Sequence, residues 1–206
     1  MQIDHVVYGV QDLETAADRI KQELGLGSVP GGRHPGWGTG NRIVPLGPSY
    51  VELLAAVDRR EAERSELGQA LLAAVAETDR FLVWCVSTED VDAEAGRLGL
   101  PVSSGTRERP DGTVLTWRSA GLDRALAEPS LPFFITWDIP VGLHPGRAAT
   151  DHVIKPEGIA WLEVGGDAVR LSEWLDGSRL PVRVIGGPPG VLAVAIAAEA
   201  GEIVLR

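Results

Sequence analysis

The chain has 206 residues with 29 acidic against 19 basic side chains, a formal charge of −10 and a pI of about 4.9. That length carries a full core as one domain or two small fused ones. The dispersed negative charge argues against nucleic acid and anionic membrane surfaces as partners, since both require clustered Lys and Arg.

The N-terminus Met1-Gln2-Ile3-Asp4-His5 lacks the basic and apolar regions of a signal peptide. No apolar stretch approaches the length of a membrane span. The one cysteine, Cys85, lies between Trp84 and Val86 and reads as a buried small hydrophobe. A single Cys forms no internal disulfide, so the chain reads as cytoplasmic.

The first predicted element is a strand over residues 3–10, followed by Asp12 and a helix. In that helix Leu13, Ala16, Ala17, Ile20 and Leu24 fall on one face, and Gly25 stops it. Residues 31–42 form a glycine-rich loop holding His34, Trp37, Thr39, Asn41 and Arg42, which opens into strands over 43–46 and 50–54. Residues 61–76 read as a linking helix with Leu67, Leu71 and Val75 on one side. A second unit begins with a strand over 81–87, then Thr88 as N-cap and a helix buried through Val91, Ala95 and Leu98. Its later strands are expected over 102–106, 113–119 and 133–138, the first two joined by a Pro110-Asp111-Gly112 hairpin turn. The connection 139–158 is the expected boundary. A third unit has a strand over 159–164, Asp167 as cap, a helix stripe of Ala168, Leu171 and Leu175, and strands over 182–185, 191–197 and 202–205.

Each unit therefore reads strand-helix-strand-strand-strand, and a unit that cannot bury its own sheet face pairs with another. The expected fold is α+β: tandem βαβββ modules forming a cupped mixed sheet with helices outside. Residues 1–140 hold the paired modules, and 159–206 a third that sits as an appendage or helps pair with another unit or subunit.

Glu52 is the sharpest chemical anomaly. A carboxylate inside Val51-Glu52-Leu53-Leu54-Ala55-Ala56-Val57 needs a partner, a metal or a water-filled cavity. His5 is the natural other half. Strand alternation groups His5 with Ile3 and Val7, and Glu52 with Tyr50 and Leu54, so both can face one cavity. The chemically varied loop residues suit a ligand. His34 either joins the site or caps backbone carbonyls. Asn41 and Arg42 can hold a carboxylate or carbonyl, with Arg42 surface charge as the alternative; Thr39 contacts ligand or shapes the turn. Trp37, Trp84, Trp117 and Trp137 are core residues or aromatic walls of a small-molecule site. His144 and His152 lie in the long connection and read as solvated, with His152 the lesser site candidate over the cavity mouth. Nucleophile-elbow, phosphate-loop and Rossmann patterns are missing.

The pieces Asp4-His5-Val6, Gly31-Gly32-Arg33-His34 through Trp37-Gly38-Thr39-Gly40-Asn41, Tyr50-Val51-Glu52-Leu53 and Pro132-Phe133-Phe134-Ile135-Thr136-Trp137 occur in that order. In this the chain resembles the vicinal oxygen chelate superfamily, in its glyoxalase-like branch. The resemblance implies metal ligation by His5 and Glu52, with Zn, Fe(II), Mn or Ni as suitable ions. Phe81, aligned opposite His5, and the apolar last strand of unit two leave the usual third and fourth ligands missing; His34 could supply a third. The implied activity is lyase, isomerase or dioxygenase-type chemistry on a small oxygenated molecule, with His5, Glu52 and His34 catalytic. Without metal, His5 and Glu52 would serve as base and orienter. The other reading is a non-catalytic, sequestering binder with Trp37, Thr39, Asn41, Arg42, Trp117 and Trp137 around the ligand. A homodimer is left open.

Overall fold

A computed structural model describes residues 1–109 and 112–206, so Pro110 and Asp111 of the expected hairpin turn lie outside it. Unit one is β1 (Gln2–Gly9), α1 (Leu13–Leu24), β2 (Val29–His34), β3 (Thr39–Pro45) and β4 (Tyr50–Ala56). Two helices, α2 (Arg59–Ala62) and α3 (Glu66–Ala74), lead to unit two. That unit has β5 (Arg80–Ser87), α4 (Val91–Leu98), β6 (Val102–Glu108), β7 (Val114–Ala120), a short α5 (Leu122–Ala127) and β8 (Phe133–Trp137). Two 3₁₀ turns follow, then β9 (Pro156–Gly165), α6 (Ala168–Trp174), β10 (Val182–Ile185), β11 (Gly190–Ala198) and β12 (Gly201–Leu205).

Eight strands form one mixed sheet in the order β2-β3-β4-β1-β5-β8-β7-β6. Within each of the first two units the first strand runs parallel to the last, β1 beside β4 and β5 beside β8, and β1 joins β5 antiparallel at the centre. The two units are thus matching modules paired through their first strands. The third shares their element order but not their pairing. Its separate sheet runs β10-β9-β11-β12, with β9 between β10 and β11 instead of beside the last strand.

The large sheet buries both faces. On its convex side Val6, Tyr8, Val51, Leu53, Trp84, Val86 and Phe134 pack against α1, α4 and the third unit's Leu162, Val164, Val194 and Ile196. On the concave side Val7, Leu54, Val83, Cys85, Phe133 and Ile135 meet Leu67 and Leu71 of α3 and Ala125 of α5. Two helices therefore lie inside the cup, while α1 and α4 lie outside.

Three local expectations are corrected. The linking helix is broken: Ser65 caps α3 by accepting from the Gly68 N–H at 3.0 Å. Gly68 packs so closely that a Cβ there would stand 2.3 Å from the Ala62 carbonyl oxygen. The helix of unit two is capped by Asp90, whose carboxylate accepts from Ala93 N–H, rather than by Thr88. The glycine-rich segment is mostly a β2–β3 hairpin, with His34 paired to Thr39 and the turn at residues 35–38.

Candidate active site

The centre of the cup encloses a cavity of about 110 Å³. It takes His5, Val7, Tyr50, Glu52 and Leu54 from β1 and β4, and His34, Trp37 and Asn41 from the β2–β3 hairpin. Unit two contributes Val83, Arg107, Trp117, Phe133, Ile135 and Trp137, and Pro145 covers one side. Trp37 is 42 % exposed and stands at the mouth.

A β-bulge sets up the polar end. The β1–β5 register slips between Ile3 and His5, and a bulge lets two successive side chains escape strict alternation. Ile3 consequently joins the convex core, against the expectation that it shares the face of His5. Asp4 and His5 both belong to the polar cluster instead. Asp4 is 2 % exposed and its carboxylate is filled on every side. His5 Nδ1 lies 2.6 Å from Oδ1, while Trp137 Nε1 donates to Oδ2 at 3.1 Å and His144 Nε2 lies 3.2 Å from it. His144 Nδ1 accepts from the Gly146 N–H at 3.1 Å, so its proton is on Nε2 and is given to Asp4. Burial alone would raise the Asp4 pKa, but the hydrogen bonds from His144 and His5 outweigh it and hold the carboxyl well below its usual range.

An ionised Asp4 fixes the tautomer of His5. Nδ1–H donates to Asp4, and Nε2 turns to the cavity, 3.9 Å from Glu52 Oε2. Tyr50 stacks on the imidazole at 4.4 Å between centroids, and Phe133 meets its edge at 5.4 Å. Glu52 is held in turn by Asn41 Nδ2, which donates to Oε1 at 2.7 Å. Gly31 makes this bond available: a Cβ there would sit 1.9 Å from Asn41 Oδ1, so only glycine leaves room for the amide. Arg107 Nη1 donates to that Oδ1 at 3.4 Å, completing a chain from carboxylate through amide to guanidinium.

The structure thus brings His5, His34, Asn41, Glu52, Trp37, Trp117 and Trp137 around one space. Thr39 is fully buried behind it, with Oγ1 3.0 Å from His34 Nδ1, and orients that ring without lining the cavity. Burial lowers the His34 pKa, Arg107 adding to the effect and Glu52 opposing it. Arg42 departs from its expected role. Next to inward-facing Asn41, it points to the other face and bonds Glu14 and Ser28. Trp84 also faces the convex core, where Nε1 donates to the Ser130 carbonyl. His152 stands away from the mouth and accepts from the Gly27 N–H at 3.0 Å; the residue folded in from its segment is the buried His144.

The donor set does not fit a metal site of three protein ligands. Val83 precedes its helix start, Val91, by as many residues as His5 precedes Leu13, and is its counterpart in unit two; the Phe81 alignment is two residues off. Val7, two on from His5, pairs with Glu52, as Cys85, two on from Val83, pairs with Phe133. Unit two therefore presents Val83 and Phe133 where unit one presents His5 and Glu52. Donor atoms of His5, Glu52 and His34 do not gather within 4.8 Å of one another; among the described residues the grouping of three that does is Asp4, His5 and Cys85. In that grouping burial, with Asp4 and Glu52 nearby, pushes the Cys85 thiol well up, and the Asp4 oxygens are already occupied.

Asp4 and Arg107 were not marked by the sequence, and His144, expected to be solvated, is buried because the connection folds back and its imidazole bonds Asp4. Asp4 carried a signal in being the acidic neighbour of His5 in an apolar strand; Arg107 had none short of the tertiary register.

Among the described residues no helix is long and apolar enough to cross a membrane. No curated protein matches the chain in sequence. A crystal structure of a hypothetical protein from Staphylococcus aureus is similar over 92 % of this chain and 88 % of that one, at 16 % identity and a TM-score of 0.71, and shares its fold. Methylmalonyl-CoA epimerase from Mycobacterium tuberculosis aligns over 66 % of this chain and 86 % of its own, at 17 % identity and a TM-score of 0.46. The glyoxalase-like domain family matches residues 3–178, from β1 into the turn after α6, and the chain belongs to that family.

Proposed function

We propose that the protein is a proton-transfer enzyme of the isomerase or lyase type, acting on a small oxygenated molecule held in the cavity. The observation that carries this reading is the Asp4–His5 pair, with Nδ1 2.6 Å from the carboxylate and Nε2 directed at the space before Glu52. An imidazole oriented by a buried carboxylate is a competent base, and its free lone pair can take a proton from a carbon beside a carbonyl. Asp4 stabilises the imidazolium that results. Glu52, with Oε1 engaged by Asn41 and Oε2 turned to His5, is a second base on the same space, and the proton that His5 Nε2 removes is given back from the imidazolium to the substrate carbon or to its neighbour. The ring of Tyr50 and the Trp117–Trp137 pair exclude bulk water from that exchange.

The metal-dependent form of the reading has His5 Nε2 and Glu52 as protein donors and lacks a third, so no step is assigned to a metal. Residues 159–206 contribute nothing to the cavity lining; we assign them the role of covering the convex face.

The test is proton NMR of small 2-oxo and 2-hydroxy compounds incubated with the protein in deuterated water. Exchange of the C–H beside the oxygenated carbon is expected, with His5→Ala slowing it by about 10²–10⁴-fold. Exchange that survives His5→Ala unchanged overturns the reading. Binding without exchange for every compound favours the sequestering role. Metal analysis runs alongside: stoichiometric Zn, Fe, Mn or Ni lost in His5→Ala would restore the metal-dependent form.

A further inference from the structure

We propose that Arg107 is an anion clamp, and that the molecule the cavity takes is a small 2-oxo or 2-hydroxy carboxylic acid bound through its carboxylate. The position of the oxygen-bearing carbon near His5 rests on the proton-transfer reading above; the carboxylate contact stands on its own observations.

The first is the state of the guanidinium. Other arginines of the chain meet acids: Arg19 meets Asp79, Arg33 meets Asp58 and Glu61, Arg42 meets Glu14, and Arg118 meets Asp92 and Asp138. Arg107 meets none among the described residues. Its Nε is buried with no hydrogen-bond partner, and its one hydrogen bond is the 3.4 Å contact from Nη1 to Asn41. A buried donor left without an acceptor costs stability. Nε–H together with a terminal N–H is the pair with which arginine grips a carboxylate in two parallel bonds.

The second is how the guanidinium is kept from Glu52. Asn41 bonds both Glu52 and Arg107, and so stands between them; no direct ion pair joins the two. The Arg107 stem crosses from β6 to the opposite end of the open sheet and lies over Gly32, where a Cβ would come within 3.2 Å of its Cδ. Two residues earlier on the same strand, Gly105 leaves room for the Trp117 ring, which a Cβ would overlap at 2.2 Å. A cation and an aromatic wall are thus seated side by side on backbone stripped of side chains.

The third is the size of the cavity and the pairing of its charged groups. At about 110 Å³ the cavity is well below the ~300–1,000 Å³ of pockets that bury drug-sized ligands, so its occupant is a compact molecule. Asp4 already accepts from three donors, and Glu52 from Asn41. Arg107 is the cation of the cavity lining, and among the described residues it has no acidic partner.

Calorimetry on the full chain compares pyruvate and lactate with hydroxyacetone, a neutral probe of similar size. The acids are expected to bind about ten- to a hundredfold more tightly, the ratio a charge-assisted pair supplies. Arg107→Met, which keeps the stem, should abolish that preference and leave hydroxyacetone unchanged; Arg107→Lys should restore part of it. Equal binding of acid and neutral probe by the wild type, or acid binding unchanged in Arg107→Met, overturns the proposal, as does failure of both acids to bind. Should Arg107→Met not fold, a drop in acid affinity in Arg107→Lys supports the clamp and an unchanged affinity overturns it. Exchange measured beside binding on the wild type separates the two readings. Acid binding retained with no exchange in the wild type leaves the clamp standing and removes the base; exchange of hydroxyacetone alone does the reverse.

Discussion

The two halves of the cup have one backbone plan and opposite chemistry. Unit one gives the cavity His5, Glu52 and Asn41, each held by a hydrogen bond made inside the cluster. Unit two places Val83 and Phe133 at the positions of His5 and Glu52, adds Trp117 and Trp137, and offers one cation, Arg107. Tandem modules on a common axis thus need not share a site equally. One copy can carry the reactive groups while the other becomes a wall that excludes water and strengthens electrostatic interactions within.

The largest effect that would sharpen this contrast lies at Asp4. Replacing it with Ala leaves His5 Nδ1–H, His144 Nε2–H and Trp137 Nε1–H buried with no acceptor. The expected loss is about 3–5 kcal/mol, seen as a melting temperature lower by roughly 10 °C. A small loss would mean the polar half is not built around this carboxylate. The same group imposes an acid limb on stability. Its pKa is lower folded than unfolded, so its contribution is complete above the unfolded value of about 3.9 and is lost as pH falls through and below it. Denaturation followed from neutral pH into acid should show that limb in the wild type and a flatter one in Asp4→Asn.

Asn41 comes next, because it joins the polar chain to the cation of the other half. Asn41→Ala frees Glu52 Oε1 and lets Arg107 close on Glu52 as a direct ion pair. The expected result is a roughly ten- to hundredfold slower exchange reaction with the melting temperature nearly unchanged. An unaltered rate would show that Glu52 needs no orientation and that the chain through Asn41 is incidental.

How far the sequence could reveal this follows from where each signal is written. Helix stripes and glycine stops are local, so α1, with its apolar stripe and Gly25 at its end, was legible. So was the inward parity of Tyr50, Glu52 and Leu54, because β4 runs without a bulge. The β1 parity was half legible: a bulge has no fixed sequence mark, and it moved Ile3 to the core and Asp4 into the cluster. His144 meets Asp4 across 140 residues of chain, a contact set by how the connection folds back and not by any local pattern. Arg107 sits in a strand of small and charged residues that reads as solvated, and only the approach of β6 to Gly32 shows what it faces.

Arg42 marks the smallest expected effect and the cleanest control. It neighbours Asn41 in the same strand and belongs to the same loop motif, yet strand alternation sends the two side chains to opposite faces. Asn41 turns inward to Glu52, while Arg42 meets Glu14 of α1, a residue 74 % exposed. An ion pair with so exposed a partner is worth about 0.2–1 kcal/mol. Arg42→Ala should therefore lower the melting temperature by no more than a few degrees, and by less in high salt, where screening has already weakened the pair. Pyruvate affinity and the exchange rate should match the wild type. A loss of acid binding in Arg42→Ala would instead move the anion contact out of the cup and onto the convex face, where the hydrogen bonds of Arg42 to Ser28 and Glu14 leave no free edge of its guanidinium for a ligand carboxylate.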